Sequence, residues 1–237
     1  MSEKLVLPKT EAPQMFDNIA RRYDLLNRLL SLGMDISWRN RLKALMPKSR
    51  NLRVLDLASG TADVIITLVQ GNDAIEHALG IDPASKMLDV GREKIARLGL
   101  SERIRLEQGD AQALDLHDNS YDVITIAFGI RNVPDMRLGL LEMYRVCKPG
   151  GQVMILEFSK PGNPLLAAGH WLYLNTFVPI IGFLFSGNIK AYTYLAQTIQ
   201  TFPYGDRFCK ILKQFGFKSV TAYPLLGGVA TIYVGHK

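Results

Sequence analysis

Apolar side chains near the start of the chain recur at steps of three and four: Phe16, Ile19, Tyr23, Leu26 and Leu30. That spacing puts them on one face of a helix, and Gly33 supplies a C-terminal stop. The period then changes. Val54 to Ala58 is a short apolar run ended by Ser59-Gly60, which predicts a buried strand, and Thr61 to Val69 reads as a helix. Ala78 to Ile81 predicts a second strand closed by Asp82-Pro83, and Ala84 to Leu98 a second helix of this series. Strands follow at Ile104 to Leu106 and Tyr121 to Phe128, then a helix over Pro134 to Val146 and a strand over Gln152 to Phe158. Tyr204 to Phe215 has helical spacing, and Ser219 to Leu225 and Ala230 to Val234 are strands joined across Gly227-Gly228 as a hairpin.

Alternating strand and helix over Val54–Phe158 predicts an α/β fold, a Rossmann-like doubly wound sheet that is mostly parallel. The terminal hairpin adds one antiparallel strand. The expected organisation is one domain over 1–237, with a helical leader (1–50) and an insertion (161–204).

Composition adds two asymmetries. The net charge is +6, and residues 1–53 hold the whole excess, with 11 basic against 5 acidic side chains. Such a leader suits nucleic acid, an anionic membrane surface or plain solvent. Between Pro161 and Tyr204 the only charged side chain is Lys190, yet nine aromatics fall there: Trp171, Tyr173, Phe177, Phe183, Phe185, Tyr192, Tyr194, Phe202 and Tyr204. Either this segment is core or it lines a pocket for a large apolar ligand. Its longest apolar run, Trp171 to Phe185, is interrupted by Asn175 and Pro179 and is shorter than the ~20 residues of a spanning helix. Two cysteines, Cys147 and Cys209, are too few for a disulfide scaffold or a zinc cluster. The first thirty residues lack an apolar signal core, so the expected location is cytoplasmic.

In a doubly wound sheet, ligands bind beyond the carboxyl ends of the strands. The turn after the first strand, with Gly60, leaves room for a close backbone approach. Asp82, at the end of the second strand, is placed for ribose hydroxyls. Asp110-Ala111, after the third, suits an adenine edge and face. A nicotinamide dinucleotide calls for three glycines and a pyrophosphate over a helix N-terminus. Here one glycine is flanked by Asp56 and Asp63, which repel phosphate. S-adenosylmethionine, a sulfonium with no phosphate, is the better match.

With these residues in place, the sequence resembles class I S-adenosylmethionine-dependent methyltransferases, and within them the ubiquinone/menaquinone biosynthesis C-methyltransferases. The resemblance covers nearly the whole chain. It rests on Tyr23-Asp24 with Asn27, Ser31 and Gly33; on Phe128-Gly129-Ile130-Arg131-Asn132-Val133; and on Arg145-Val146 to Glu157-Phe158-Ser159 around Lys148-Pro149-Gly150-Gly151. It implies that Thr61, Asp82, Asp110 and Ala111 contact the cofactor, while Asp56 and Gly60 shape the turn. The family often has glycine where Ala58 and Ala62 stand, and serine at Ala127. These departures narrow the turn and remove one hydroxyl contact.

The resemblance further implies carbon methylation of a prenylated hydroquinone, with Arg131 stabilising a phenolate, Asn132 orienting the ring hydroxyl and Tyr23 acting as a lid. A salt bridge is the alternative role for Arg131, and core packing for Tyr23. The Asn/Asp-Pro-Pro-aromatic tetrad of amine methylation is absent, since Arg131-Asn132-Val133-Pro134-Asp135 occupies its place. Neither cysteine follows a proline, as cytosine methylation would require. Nucleic acid is therefore not an expected partner. A polyprenyl tail would explain the uncharged segment. A basic leader would rest the pocket mouth on an anionic leaflet as a peripheral contact. The turn Gly60-Thr61-Ala62-Asp63, Val133-Pro134-Asp135 and Gly227-Gly228-Val229-Ala230 lean towards the menaquinone branch. The rivals are a benzoquinol acceptor, a small-molecule O-methyltransferase and a non-catalytic binding module. No two of His77, His117, His170 and His236 have ligand-like spacing, and no metal is expected. A homodimer is among the assemblies the sequence allows.

Overall fold

A computed structural model describes residues 8–178 and 189–237. Seven strands form one sheet: β1 (Leu52–Leu57), β2 (Ile75–Asp82), β3 (Ile104–Gln108), β4 (Tyr121–Ala127), β5 (Cys147–Phe158), β6 (Lys218–Leu225) and β7 (Ala230–His236). Their order is β3-β2-β1-β4-β5-β7-β6. β1 pairs in parallel with both β2 and β4, so the chain winds first one way and then the other from β1. The switch point falls between β1 and β4, where such sheets bind ligands. β7 is antiparallel to both neighbours and lies between β5 and β6 rather than at the edge.

Among the described residues eight α-helices surround the sheet: α1 (Ala12–Leu30), α2 (Met34–Ala44), α3 (Asp63–Val69), α4 (Ser85–Arg97), α5 (Met136–Val146), α6 (Pro164–Leu172), α7 (Ile189–Thr201) and α8 (Asp206–Gln214). Alternate strand residues serve opposite faces. Val54, Val123, Met154 and Ile232 pack with Leu42, Leu68 and Leu88 of α2, α3 and α4. Leu55, Ile124, Ile155 and Tyr233 pack with Leu140 and Met143 of α5 and Phe208 and Leu212 of α8. Covering both faces is why the strands read as continuous apolar runs. Asp135 caps α5 by accepting from the Arg137 and Leu138 N–H groups.

The predicted leader helix is α1. A second helix, α2, follows Gly33 and had no clear signal, because its buried residues are Asp35, Trp38, Arg39 and Leu42, half of them charged. α3 begins at Asp63 rather than Thr61, and α8 spans Asp206–Gln214 rather than Tyr204–Phe215. The uncharged segment divides. Leu174, Val178, Tyr194 and Ile199 are buried with Ala12 and Met15 beneath the leader. α6, by contrast, buries nothing, and Leu165 is 84 % exposed. Pro179, Phe183 and Phe185 lie outside the described residues. Among those residues no helix is long and apolar enough to cross a membrane.

Candidate active site

The turn after β1 is tight because three of its residues adopt left-handed backbone: Ala58 (φ 51°), Gly60 (φ 54°) and Ala62 (φ 67°). Glycine takes that conformation freely, whereas an alanine there costs roughly 1–2 kcal/mol. Asp82 at the end of β2 holds the turn. Its Oδ2 accepts from the Gly60 N–H at 2.9 Å and its Oδ1 from the Ala84 N–H at 2.8 Å. Burial pushes its carboxyl up to about 6, against the pull of those two bonds.

Asp82 lines a pocket of about 330 Å³ together with Ile81, Asp110, Ala111, Asn132 and Val133, roofed by Ala12, Pro13 and Phe16 of α1. The Asp110 carboxylate accepts from the Gln112 backbone and side-chain N–H groups. Apolar faces between two carboxylates fit a flat, uncharged base and ribose hydroxyls. A pyrophosphate would meet those carboxylates head on. The donor set therefore matches the adenosine half of S-adenosylmethionine.

The remaining turn residues are placed differently. Asp56 is buried behind the turn, where burial raises its carboxyl to about 7. Its Oδ1 accepts from Thr125 Oγ1 at 2.5 Å, and its Oδ2 has no hydrogen-bond partner among the described residues. Asp63 does not stand free beside the turn. Lys94 Nζ lies 2.5 Å from it and Arg39 Nη2 3.3 Å. The expectation that both acids flank the ligand and repel phosphate is thus corrected: Asp63 is already paired with two internal cations, and Asp56 faces inward behind the turn. Thr61 Oγ1 donates to Asp24 of α1 at 2.5 Å, and Lys94 ties Asp24 to Asp63. The leader is pinned over the turn.

Arg131 and Asn132 lie on a single helical turn, Ile130–Asn132, after β4. Arg131 Nη1 donates to the Phe128 carbonyl and to Glu157 Oε1, each at 2.6 Å. Its guanidinium sits 5.3 Å from the Phe158 ring centroid. Asn132 Nδ2 donates to the same Phe128 carbonyl at 3.4 Å, which turns its Oδ1 away. Arg131, Asn132 and Tyr23 share a pocket of about 110 Å³ with Trp38, Phe128, Phe158 and Tyr194. Burial pushes the Tyr23 phenol up, with an opposing hydrogen bond to Asn27 and the Arg131 charge. A narrow void of about 40 Å³, bounded by Tyr23, Gly60, Asp82 and Asn132, lies between the two pockets.

A third compartment, an apolar groove of about 600 Å³, runs along Leu165, Leu166, His170, Tyr173 and Leu226. It shares Leu30, Ser31, Trp38 and Phe158 with the ring-sized pocket. A separate cleft of about 530 Å³ between α1 and α4 is walled by charged groups such as Asp17, Arg21, Lys86 and Glu93, away from the strand ends.

Sequence reasoning gave roles to Tyr23, Arg131 and Asn132, quoted Glu157 and Phe158 only within a family block, and gave no site role to Trp38 or Tyr194. A lone glutamate ending a strand was the available signal for Glu157. Tyr194 was counted only as one aromatic among nine.

The fold and these compartments can be set beside known proteins. The ubiE/COQ5 methyltransferase family model matches residues 4–237. The chain belongs to the ubiE/COQ5 methyltransferase family. It is 41% identical over 234 residues to the ubiquinone/menaquinone biosynthesis C-methyltransferase UbiE of Geotalea daltonii, covering 99% of each chain. It is 44% identical over 225 residues to the demethylmenaquinone methyltransferase of Deinococcus radiodurans, covering 94% of this chain and 91% of that one. The corresponding Bacteroides fragilis enzyme is 40% identical over 227 residues, with 96% and 92% covered. Among solved structures, a SAM-dependent methyltransferase of Thermotoga maritima shares the fold with TM-score 0.67 at 17% identity, covering 94% of this chain and 98% of that one. As a ubiE/COQ5 member the chain is a methyltransferase, and S-adenosylmethionine is its methyl donor.

Proposed function

We propose that this chain methylates a ring carbon of a prenylated hydroquinone, a naphthohydroquinone (demethylmenaquinol) in preference to the benzohydroquinone of the ubiquinone branch. The observation that carries this reading is the continuity of compartments. A ring-sized pocket with polar groups at one end is joined across Leu30, Ser31, Trp38 and Phe158 to a groove of about 600 Å³ lined by apolar side chains. That is the shape of a polar aromatic head with a long hydrocarbon tail. The names of the relatives point the same way, and the menaquinone-branch motifs support the naphthalene ring.

When bound, S-adenosylmethionine supplies an electrophilic methyl group on a positively charged sulfur. The chain's own residues do the rest. Asp82, Asp110 and Ala111 hold the adenosine, and Gly60, Thr61 and Asp56 form the turn beneath the methionine end. The Arg131 guanidinium favours one ring hydroxyl as its phenolate, the proton passing to solvent, and the phenolate pushes electron density onto the ring carbons beside it. Asn132 orients that hydroxyl. Tyr23 and Phe16 roof the junction and keep water out. Alignment of this kind supplies up to ~7–11 kcal/mol of rate enhancement.

The groove rim supports a peripheral contact with an anionic leaflet. Leu32 is 76 % exposed and Leu226 55 %, and both border the groove. Residues 1–53, which include the leader, carry the chain's whole excess of positive charge.

The test is methylation by purified protein of demethylmenaquinol and of the benzoquinol precursor, kept reduced, with the products read by mass spectrometry. The reading expects a product one methylene heavier, with a new carbon–methyl bond and faster turnover of the naphthoquinol. A methoxy product, or no product, refutes it. Turnover of the benzoquinol alone refutes the choice of ring.

A further inference from the structure

Buried polar atoms without partners gather at one end of the ring-sized pocket. Among the described residues they include Arg131 Nε, Asn132 Oδ1, Glu157 Oε2 and the Tyr194 hydroxyl. Tyr194 is 3 % exposed and lines the same pocket as Arg131 and Asn132, although it comes from α7 rather than from a strand end. A buried hydroxyl normally has a partner, because leaving it without one is costly. One with no protein partner, facing a pocket, is placed for a ligand. Trp38, Phe128 and Phe158 supply aromatic faces to the same pocket, and Ser31, Asp35 and Arg39, also in its lining, are already hydrogen-bonded internally. The hydroxyl is thus placed for a polar atom on an aromatic body.

We propose that Tyr194 binds the acceptor directly, donating its hydroxyl hydrogen to the ring oxygen that Arg131 and Asn132 also address. This deepens the function proposed above and rests on it. The pole then offers what a ring hydroxyl needs as charge builds on it. Asn132 Oδ1 accepts the O–H of the neutral form. Tyr194 and Arg131 supply donors to the oxygen once its proton has passed to solvent and it is anionic. Tyr194 keeps its own proton throughout: burial pushes its phenol up, and the Arg131 charge only partly offsets this. The other ionisable groups around the pocket are Tyr23, the Asp35–Arg39 ion pair, and Glu157, which pairs with Arg131.

The test uses the full-length protein and 1-naphthol, a redox-stable ring hydroxyl whose anion has its own absorption band. Bound 1-naphthol is titrated from about pH 6 to about pH 10, across the phenol range. Tyr194→Phe removes one oxygen and no packing volume. It is expected to raise the pKa of bound naphthol by about one unit, a tenfold loss of preference for the anion. Turnover of the quinol should fall about a hundredfold, with S-adenosylmethionine affinity unchanged by calorimetry. Ile199→Ala, in the same apolar cluster, removes packing but no hydroxyl and should leave the naphthol pKa in place. An unmoved pKa in Tyr194→Phe, or an equal shift in Ile199→Ala, overturns the proposal. If Tyr194→Phe does not fold, 3-fluorotyrosine at position 194 replaces it. This more acidic donor should lower the naphthol pKa, and no change overturns the proposal. Wild-type protein that binds no naphthol overturns this inference, and the proposed function falls with it only if the quinol is also left unmethylated.

Discussion

Arg131 Nη1 stands 2.6 Å from Glu157 Oε1, with side-chain exposures of 5% and 0%. Neither charge could remain in that apolar surrounding alone. Glu157 is therefore the counter-ion that lets a permanent cation sit beside the ring pocket.

Removing one member should expose that dependence. Glu157→Gln leaves Arg131 uncompensated and should destabilise the fold by about 3–5 kcal/mol in urea denaturation. Replacing both residues by methionine should recover most of the stability while methylation stays abolished. A double variant as unstable as the single one would show that the pair is not the reason for the loss.

Asp82 and Arg131 should fail in different ways. Asp82→Ala removes the acceptor for ribose and the Gly60 N–H, and should weaken S-adenosylmethionine about a hundredfold, since bonds to a charged group are worth ~1.5–3 kcal/mol each. Arg131→Met should leave that affinity within a small factor while stopping turnover. Calorimetry on both variants checks this, and equal loss in the two would refute the division of roles.

Stability should carry the signature of Asp56. Its carboxyl is raised to about 7 by burial, whereas in the unfolded chain it titrates near ~3.9. Between those values the native state holds a proton that the unfolded state has released. The contribution is therefore most favourable at the acidic end and declines as pH rises towards 7. Asp56→Asn cannot titrate. The stability of the wild type relative to this variant should fall between about pH 5 and pH 7, and a flat or rising difference would contradict the assignment.

Membrane contact should depend on the groove rim. Leu32→Gln combined with Leu165→Gln removes two exposed leucines. Each is worth up to ~1.5–3 kcal/mol if buried in lipid. Co-sedimentation with anionic vesicles at low salt should fall at least about tenfold, while turnover of a short-tailed acceptor persists. Wild-type protein that stays in the supernatant would remove the membrane from the account.

Much of this was legible in the residues. β1, β4 and β5 announce themselves because both faces of the sheet are covered there, so each holds a buried apolar run, while β3 at the sheet edge alternates buried and exposed residues. Asp82 and Asp110 could be placed because one ends β2 and the other lies two residues past β3, whereas Arg131 was reached through the family resemblance. What escaped had a physical reason. α2 buries Asp35 and Arg39 against one another at 2.7 Å, and a periodicity scale reads such a face as solvent. Glu157 looks like any strand-ending acid until Arg131 is seen beside it. Tyr194 gains meaning only when α7 packs against the turn after β4, a contact between distant parts of the chain. Asp63 misled for the opposite cause, because its neutralising partners, Lys94 and Arg39, are remote in sequence.

Phe16 and Asn132 each stand in the walls of the cofactor pocket, the ring pocket and the void between them. Two ligands that share a wall cannot be indifferent to each other, and whatever one does to the grip on its neighbour, the neighbour does in return. Demethylated donor left behind after turnover would thus tighten or loosen the hold on the finished lipid by the same factor that the lipid changes the hold on it. The shared wall makes occupancy of the two compartments a coupled quantity rather than two separate ones.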